Sequence, residues 1–163
     1  ALGLTGADID MIRSHKRPLK EGIDFGYVGD VDSANGNMLH TLIEAGIVPV
    51  MAPLTHDGNG NILNTNADTI ASETAKALAP YYDVTLMFCF EKKGVLSNPD
   101  DDDSVIPSIT AEEFKALVAD GTVAGGMIPK LENSFNAIEH GVKQVVITLA
   151  SAIDGKHGTI LRG

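Results

Sequence analysis

The sequence is poor in cysteine and in positive charge. Cys89 is the single cysteine, which excludes a disulfide framework and a cysteine-based zinc site. Lys and Arg number 12 against 22 Asp and Glu, a formal net charge of -10, so electrostatics opposes binding to a nucleic-acid backbone. An anionic small substrate stays possible, because a few lysines or a helix N-terminus can reverse the local field within a cleft.

Long apolar runs are also lacking. No run is long enough to cross a bilayer, and the first residues lack the basic and apolar regions of a signal peptide. We therefore expect a cytoplasmic protein without a membrane partner. The chain opens on an apolar strand without an initiating Met, which suggests a piece of a longer protein. Cys89 lies in an apolar run, Val84–Phe90, and is predicted to be buried packing.

Two kinds of site signal are missing as well. There is no G-x-x-x-x-G-K-[ST] loop, so a nucleotide site would not be of the Walker type. The five histidines show no close pairing, and we assign none of them to metal or acid-base work. The acidic run Asp100–Asp103 offers oxygen atoms that suit Mg²⁺, but a water-facing acidic loop is far more common, so no protein metal site is predicted.

Strands and helices alternate along the 163 residues, of which 44% are hydrophobic, enough for a real core. The predicted strands are Ala1–Thr5, Ile47–Met51, Ile62–Asn66, Val84–Phe90, Gln144–Leu149 and Thr159–Leu161; the predicted helices are 36–45 after the cap Asn35, 67–78 after Asn66, 111–119 after Thr110, and 131–140. The short apolar strands favour an α/β fold, a three-layer αβα sandwich around a mainly parallel sheet. Ligands in such folds lie beyond the carboxyl ends of strands, here after Met51 and after Phe90.

The stretch Gly125–Lys130 runs straight into the fourth predicted helix. Its two glycines allow a sharp turn, and Pro129 suits a first helical position because its missing N–H needs no partner there. The helix N-terminus and Lys130 together favour an anion such as phosphate. The alternative is a glycine turn before an ordinary surface helix with a solvated lysine.

A second polar group, Asn64, Asn66 and Asp68, stands at the start of another predicted helix. Amide and carboxylate groups there can bind a carboxylate substrate and orient a neighbouring ammonium group. The alternative is a capped helix with an acidic first turn. Taken with Lys130, Asp68 can instead hold lysine heads at a transferring phosphate without acting as a base.

These residues, in this order, resemble the acetylglutamate (N-acyl-L-glutamate) kinase family of the amino acid kinase superfamily. The matching stretches are Gly3–Asp8, Asp24–Val31, Ile47–Pro53, Asn64–Thr69, Gly125–Lys130 and Gly158–Ile160. They cover nearly the whole chain, and the pairing of N-x-N-A-D-T with G-G-M-I-P-K is specific. The resemblance implies the amino acid kinase fold and transfer of the ATP γ-phosphoryl group to the side-chain carboxylate of an acetyl- or succinylglutamate in arginine biosynthesis.

The resemblance also implies roles for individual residues. Lys130 and Asp68 are the catalytic residues, with Asp68 organising lysines, and Asn64 and Asn66 bind the acylglutamate. The nucleotide is bordered by Glu91, Lys92, Lys93, Gly94, Val95, Leu96, Thr122, Val123 and Ala124. ATP is the cosubstrate, Mg²⁺ is bound through its phosphates, and a homo-oligomer, a homodimer by analogy, is expected.

By the same resemblance, residues 1–80 are the remainder of the acyl-amino-acid lobe and residues 81–163 the nucleotide lobe, with an N-terminal part, a further lysine and the phosphate loops preceding Ala1. The sequence departs from the family at Phe90-Glu91, where a hydroxyl residue and Asp are usual, and in the segment 150–157, which is shorter. We expect the first departure to alter nucleotide contacts. Two other functions stay open: another kinase of the superfamily, or a sensing module without turnover.

Overall fold

Helices and strands occur in both halves of the chain, but they do not alternate strictly as the sequence pattern predicts, because some strands follow one another directly and two helices are consecutive. The computed structural model describes residues 1–154 and 157–163. It divides into unit 1, Ala1–Tyr81, and unit 2, Tyr82–Gly163. None of the helices formed by the described residues combines the length and apolar character that crossing a bilayer requires.

Unit 1 contains six strands, a short 3-10 helix and two α-helices. In chain order they are β1 Leu2–Leu4, the 3-10 helix Asp8–Asp10, β2 Ile12–Lys16, β3 Gly29–Ala34, α1 Gly36–Glu44, β4 Pro49–Met51, β5 Leu54–His56, β6 Ile62–Asn64 and α2 Ala67–Leu78. Strands β1 and β4 pair in parallel, and a second sheet has the order β3-β2-β5-β6. Only β2 and β5 are parallel in that sheet, while β2-β3 and β5-β6 are antiparallel hairpins.

Local capping bonds fix the helix starts in unit 1. The Asn35 side chain accepts a hydrogen bond from the Met38 N–H at 3.0 Å, and Asn66 accepts one from the Thr69 N–H at 3.1 Å. Each bond satisfies an N–H that the first helical turn leaves without a partner. The core between the helices and strands is apolar and includes Leu4, Met11, Ile12, Leu39 and Ile70.

Unit 2 holds one four-stranded sheet and two helices. Its elements are β7 Thr85–Phe90, β8 Ser108–Thr110, α3 Ala111–Ala119, α4 Met127–Glu139, β9 Gln144–Leu149 and β10 Thr159–Arg162. The sheet order is β7-β9-β10-β8, with β7-β9 and β8-β10 parallel and β9-β10 antiparallel. The predicted capping box is confirmed, because Thr110 and Glu113 each accept a hydrogen bond from the other's backbone N–H. The α/β class is therefore confirmed, with parallel pairs joined by antiparallel ones.

Helix α4 starts earlier than the pattern predicted. It begins at Met127 rather than Leu131, so Pro129 occupies the third helical position instead of the first. Proline is still tolerated there, since the N–H of that position has no partner within the helix. Gly125 adopts φ 57°, the left-handed conformation that the sharp entry into the helix requires.

Two predictions of strand burial are wrong. Val48 and Val50 are 64% and 56% exposed, although β4 pairs in parallel with β1 as expected. Cys89 is exposed rather than packed, because β7 lies at the edge of its sheet and alternate side chains on one face are uncovered. The acidic run 100–103 faces water as predicted. Within the segment 150–157, Gly155 and Lys156 lie outside the described residues.

Candidate active site

Two separate stretches of unit 2 meet around one cavity of about 250 Å³. Its walls come from the segment after β7 and from the turn between α3 and α4; they include Lys92, Gly94, Val95, Leu96, Thr122, Val123 and Ala124. These are seven of the nine residues that the family resemblance places beside a nucleotide. Most of the remaining wall is apolar, from Pro99 and Met127. Such a cavity suits a planar heterocycle, held by apolar contacts and backbone polar groups.

Glu91 and Lys93 do not line this cavity. Glu91 borders an open groove of about 560 Å³ together with Phe90, and this groove shares Lys92, Gly94 and Met127 with the cavity. Lys93 lines a separate depression on the side of β8 and β9. The groove and cavity lie where β7 and β9 end side by side, since Phe90 pairs with Leu149 in the parallel register. This is the carboxyl edge of parallel strands, where the sequence predicted a site.

The first wall of the cavity is fixed by a buried hydroxyl group that the sequence analysis missed. The Thr159 hydroxyl accepts a hydrogen bond from the Val95 N–H at 2.8 Å and donates one to the Ile106 carbonyl at 2.7 Å. Gly94 packs against the same residue, because an added Cβ would lie 2.7 Å from Thr159 Oγ1. Close packing against Thr159 therefore explains why position 94 is a glycine, whether or not a ligand binds there.

The second wall is a turn held by Asp120. Its carboxylate accepts a hydrogen bond from the Thr122 N–H at 2.9 Å, and this bond holds the pKa of Asp120 below its usual range. The Val123 N–H returns to the Leu117 carbonyl at 2.9 Å. Backbone bonds therefore set the position of Thr122 and Val123 at the cavity.

The two lysines after β7 are engaged by the acidic loop. Lys92 and Lys93 donate to Asp102 and Asp103, each at 2.6 Å. These hydrogen bonds raise the pKa of both lysines, and the Lys92 bond lowers the pKa of Asp102. All four side chains are more than half exposed. The negatively charged loop therefore pairs with Lys92, a lysine that lines the cavity.

Removing that negative charge is expected to favour an anionic ligand. In the full-length protein, Asp102→Asn should lower the dissociation constant of an anionic ligand such as pyrophosphate by at most severalfold, because the pair is exposed and such pairs are weak. The effect should shrink as salt is raised. Asp100→Asn is the matched control, since it removes one charge from the same loop but leaves the Lys92 and Lys93 bonds intact. A dissociation constant that rises in Asp102→Asn, or falls equally in both variants, contradicts this role of the loop.

Lys130 lies in the first turn of α4. The N–H groups of Met127 and Ile128 donate to the carbonyls of Ala124 and Gly125 at 3.3 Å, and Pro129 has no N–H. The first donors of this helix are therefore partly engaged by the preceding turn. Because these N–H groups are engaged, an anion at the start of α4 would be attracted mainly by the helix dipole and by the full charge of Lys130.

Phe90, the last residue of β7, supports the head of that lysine. The Lys130 Nζ lies 3.4 Å from the centroid of the Phe90 ring, within the range of a cation–π interaction. The ring itself stacks on Phe88, with centroids 6.3 Å apart. Phe90 departs from the family pattern in the sequence, but no sequence feature indicates that it contacts Lys130.

The substrate residues predicted in unit 1 lie together at the end of β6 and the start of α2. Asn64 is exposed, and its N–H donates to the Tyr27 carbonyl at 2.7 Å. The Asn66 side-chain oxygen caps α2, which leaves its amide N–H groups as the part that can contact a ligand. Asp68 is half-buried in the first turn of α2. Helix capping thus explains the role of the side-chain oxygen of Asn66. It does not explain a role for the exposed side-chain amide of Asn64.

A buried threonine pair fixes this segment. The hydroxyls of Thr55 and Thr65 hydrogen-bond to each other at 2.9 Å, and Thr65 also donates to the Gly29 carbonyl at 3.4 Å. An added Cβ at Gly29 would lie 3.0 Å from both hydroxyls. The residue between Asn64 and Asn66 is therefore anchored in the core while its neighbours point outward.

Among residues 1–154 and 157–163, no three His, Cys, Asp or Glu side chains are grouped so that they could hold an ion.

The α/β fold, with a cavity at the carboxyl edge of its strands, matches a family of known proteins. Residues 1–149 match the model of the amino acid kinase family. The chain therefore belongs to the amino acid kinase family.

Within this family the chain is similar to acetylglutamate kinases. It is 67% identical to the acetylglutamate kinase of Phocaeicola vulgatus over 162 residues, which cover 99% of this chain and 63% of that protein. The chain thus spans just under two thirds of the length of the curated relative that it matches.

Solved structures support the fold. The chain superposes with a TM-score of 0.82 on N-acetylglutamate synthase from Neisseria gonorrhoeae complexed with coenzyme A and N-acetyl-glutamate, at 20% identity, over 98% of this chain and 37% of that one. The TM-score with carbamate kinase from Giardia lamblia bound to AMP-PNP is 0.67, at 21% identity, over 99% of this chain and 62% of that one. The fold that the resemblance implied is therefore confirmed.

Proposed function

We propose that the intact protein is an acylglutamate kinase that transfers the γ-phosphoryl group of ATP to the side-chain carboxylate of an N-acyl-L-glutamate. The observation that carries this proposal is the 67% identity with an acetylglutamate kinase over 99% of the chain. The convergence of Lys92, Gly94 and Thr122 around one cavity supports a nucleotide site in unit 2. The product of this reaction, an acyl phosphate of the acylglutamate side chain, belongs to arginine biosynthesis.

The reaction needs positioning and charge more than covalent help. A carboxylate oxygen of the acylglutamate attacks the γ-phosphorus, the bond from that phosphorus to the bridging oxygen breaks, and ADP leaves with the electron pair. No proton has to move. The apolar cavity holds the base, and Lys130 stabilises negative charge on the phosphoryl group as it passes between oxygens.

The remaining predicted residues take supporting roles in this proposal. Asn64 and Asn66 hold the acylglutamate through their side-chain amides, and Asp68 orients charged lysine side chains. Mg²⁺ enters with ATP, bound through the phosphates, where it neutralises their charge. Lys92, which lines both the cavity and the groove, becomes a phosphate partner when its bond to the acidic loop exchanges for a bond to the nucleotide.

The full-length protein, assayed for ADP release, tests the proposal. Acetylglutamate, succinylglutamate and aspartate are supplied separately with ATP and Mg²⁺, and hydroxylamine traps any acyl phosphate as a hydroxamate. We expect turnover and hydroxamate with an acylglutamate. Turnover with aspartate alone would identify another kinase of the family, and binding of acylglutamate without ADP release would identify a sensing module.

The role of Asp68 gives a separate prediction. Asp68→Asn should keep the free energy of unfolding within about 1 kcal/mol, because the loss is one carboxylate at a helix N-terminus. If Asp68 orients lysines, kcat should nevertheless fall at least about tenfold. Glu73→Gln removes a carboxylate from the same helix, where it pairs with Lys76 at 2.7 Å, and should leave kcat unchanged. An active Asp68→Asn protein that is merely less heat-stable would make Asp68 a helix-stabilising residue only.

A further inference from the structure

The ring of Phe90 and the ammonium group of Lys130 form a contact between two elements that lie 40 positions apart in sequence. The Nζ stands 3.4 Å from the ring centroid, close to the nearest approach of an ammonium group to an aromatic face. The negative face of the ring attracts the cation, whereas an aliphatic side chain of similar size would only contact its methylene groups.

Both partners of this contact are held by their surroundings. The Phe90 ring is half-buried at the end of β7 and packs on Phe88, which is 5% exposed. The backbone of Lys130 is fixed because its carbonyl accepts a hydrogen bond at 2.8 Å from the hydroxyl of Ser134, a residue that is fully buried. The ring face of Phe90 contacts the charged end of this side chain.

The contact between Phe90 and Lys130 lies beside the groove, which adjoins the cavity proposed to hold the nucleotide base. Phe90 lines this groove, and the groove shares Lys92, Gly94 and Met127 with the cavity. A nucleotide whose base occupies the cavity would extend its phosphates along the groove, toward the end of β7. The ring therefore holds an ammonium group where phosphate charge would arrive.

We infer that Phe90 is a positioning residue, whose ring face holds the Lys130 ammonium group ready for the phosphoryl group. The inference rests on the proposed kinase function for its catalytic meaning, but the contact itself does not. Phe90 does not touch the reacting atoms in this account. It lowers the freedom of the lysine before ATP binds, so that less ordering remains for the transition state.

The contact is tested first on the unliganded full-length protein, by the rate at which acetic anhydride modifies Lys130, followed by mass spectrometry. Phe90→Leu should increase this rate severalfold, and Phe90→Tyr should leave it near that of the wild type, because tyrosine keeps the ring face. Phe114→Leu is the matched control, since it removes a ring of the same unit that stacks on Phe135, with centroids 5.4 Å apart, and not on Phe90. Equal rates in wild type and Phe90→Leu would overturn the inference, whatever the protein phosphorylates.

Kinetics then test the catalytic consequence. Phe90→Leu should lower kcat on the order of tenfold with a smaller change in the KM for ATP. Phenylalanine analogues carrying one, two and three ring fluorines at position 90 should lower kcat stepwise, because fluorine withdraws charge from the ring face while the shape of the side chain is nearly kept. If kcat did not change with the number of ring fluorines, Phe90 would be a packing residue only. Absence of kinase turnover in the wild type would reject the proposed function, but the labelling result would still decide the contact.

Discussion

Replacing Lys130 by alanine in the full-length protein is expected to lower kcat about 100- to 1,000-fold, with a smaller change in the KM values. This corresponds to about 3–4 kcal/mol of lost transition-state stabilisation, the size seen when one preorganised donor is removed from a site of developing charge. Steady-state kinetics with ATP and an acylglutamate measure both parameters. The expected separation of kcat from KM marks an interaction made mainly in the transition state.

The structure explains why a single side chain has so large an expected effect. Helix α4 begins beside the groove, yet the N–H groups of Met127 and Ile128 turn back to the carbonyls of Ala124 and Gly125, and Pro129 offers none. A helix of this kind cannot surround phosphate with backbone donors as a Walker loop does. The positive charge of Lys130 therefore supplies what the backbone does not.

Two further variants separate catalysis from simple loss of charge. Lys130→Arg should restore little activity, because a planar guanidinium cannot follow a moving phosphoryl group as a compact ammonium can. Lys143→Ala is the matched control, since it removes an exposed lysine of the same unit whose partner is Asp83, at 2.6 Å. Circular dichroism confirms folding. A Lys130→Ala protein whose kcat stays within a few-fold of the wild type would make Lys130 a solvated surface residue.

Helix starts could be predicted from the sequence because the interactions that set them are local. The side chains of Asn35, Asn66 and Thr110 each reach an N–H three residues away, so the determining pair lies within one turn. The start of α4 was placed late, because Pro129 was assigned to the first helical position and the apolar pattern begins only at Leu131, whereas the helix begins at Met127. It has no side-chain cap, and its entry depends on the left-handed conformation of Gly125 rather than on a recognisable capping residue.

Strand burial could not be predicted, because it depends on what covers the second face of a sheet. The apolar run that ends at Phe90 is typical of a strand buried on both faces, yet Cys89 and Met87 are exposed at the sheet edge. β9 has a similar composition but lies between β7 and β10, and four of its six residues are buried. Position in the sheet, which no short sequence pattern encodes, makes the difference.

The candidate site was predictable where residues share a local motif and unpredictable where the contact is distant. Asn64, Asn66 and Asp68 follow one another at a strand-helix junction, so the sequence already placed them together. The hydroxyl of Thr159 supports a loop more than 60 positions earlier in the chain, and no pattern of spacing identifies it. The same holds for Phe90 and Lys130, whose contact depends on how α4 lies against the end of β7.

The largest expected effect on stability comes from a residue with no chemistry of its own. Gly36, the first residue of α1, is buried against α2, and an added Cβ would lie 2.1 Å from the carbonyl oxygen of Ala77. Because the opposing atom belongs to a helix backbone, the two helices would have to separate. Gly36→Ala should therefore lower the free energy of unfolding by about 3 kcal/mol, the upper part of the usual range for overpacking. Alanine's better helix propensity, worth up to about 1 kcal/mol, cannot offset this.

Urea unfolding of the full-length protein, followed by circular dichroism, measures the effect, with Gly3→Ala as the matched control. Gly3 lies in β1 of the same unit, and an added Cβ there has no atom within 4 Å, so this variant should unfold at the wild-type midpoint or slightly above it. Amide hydrogen exchange should show the loss of protection first in α1 and α2, because the clash lies between them. Equal midpoints for the two glycine variants would mean that the helices can move apart at little cost, and that the close approach of Gly36 to Ala77 does not contribute to the stability of this unit.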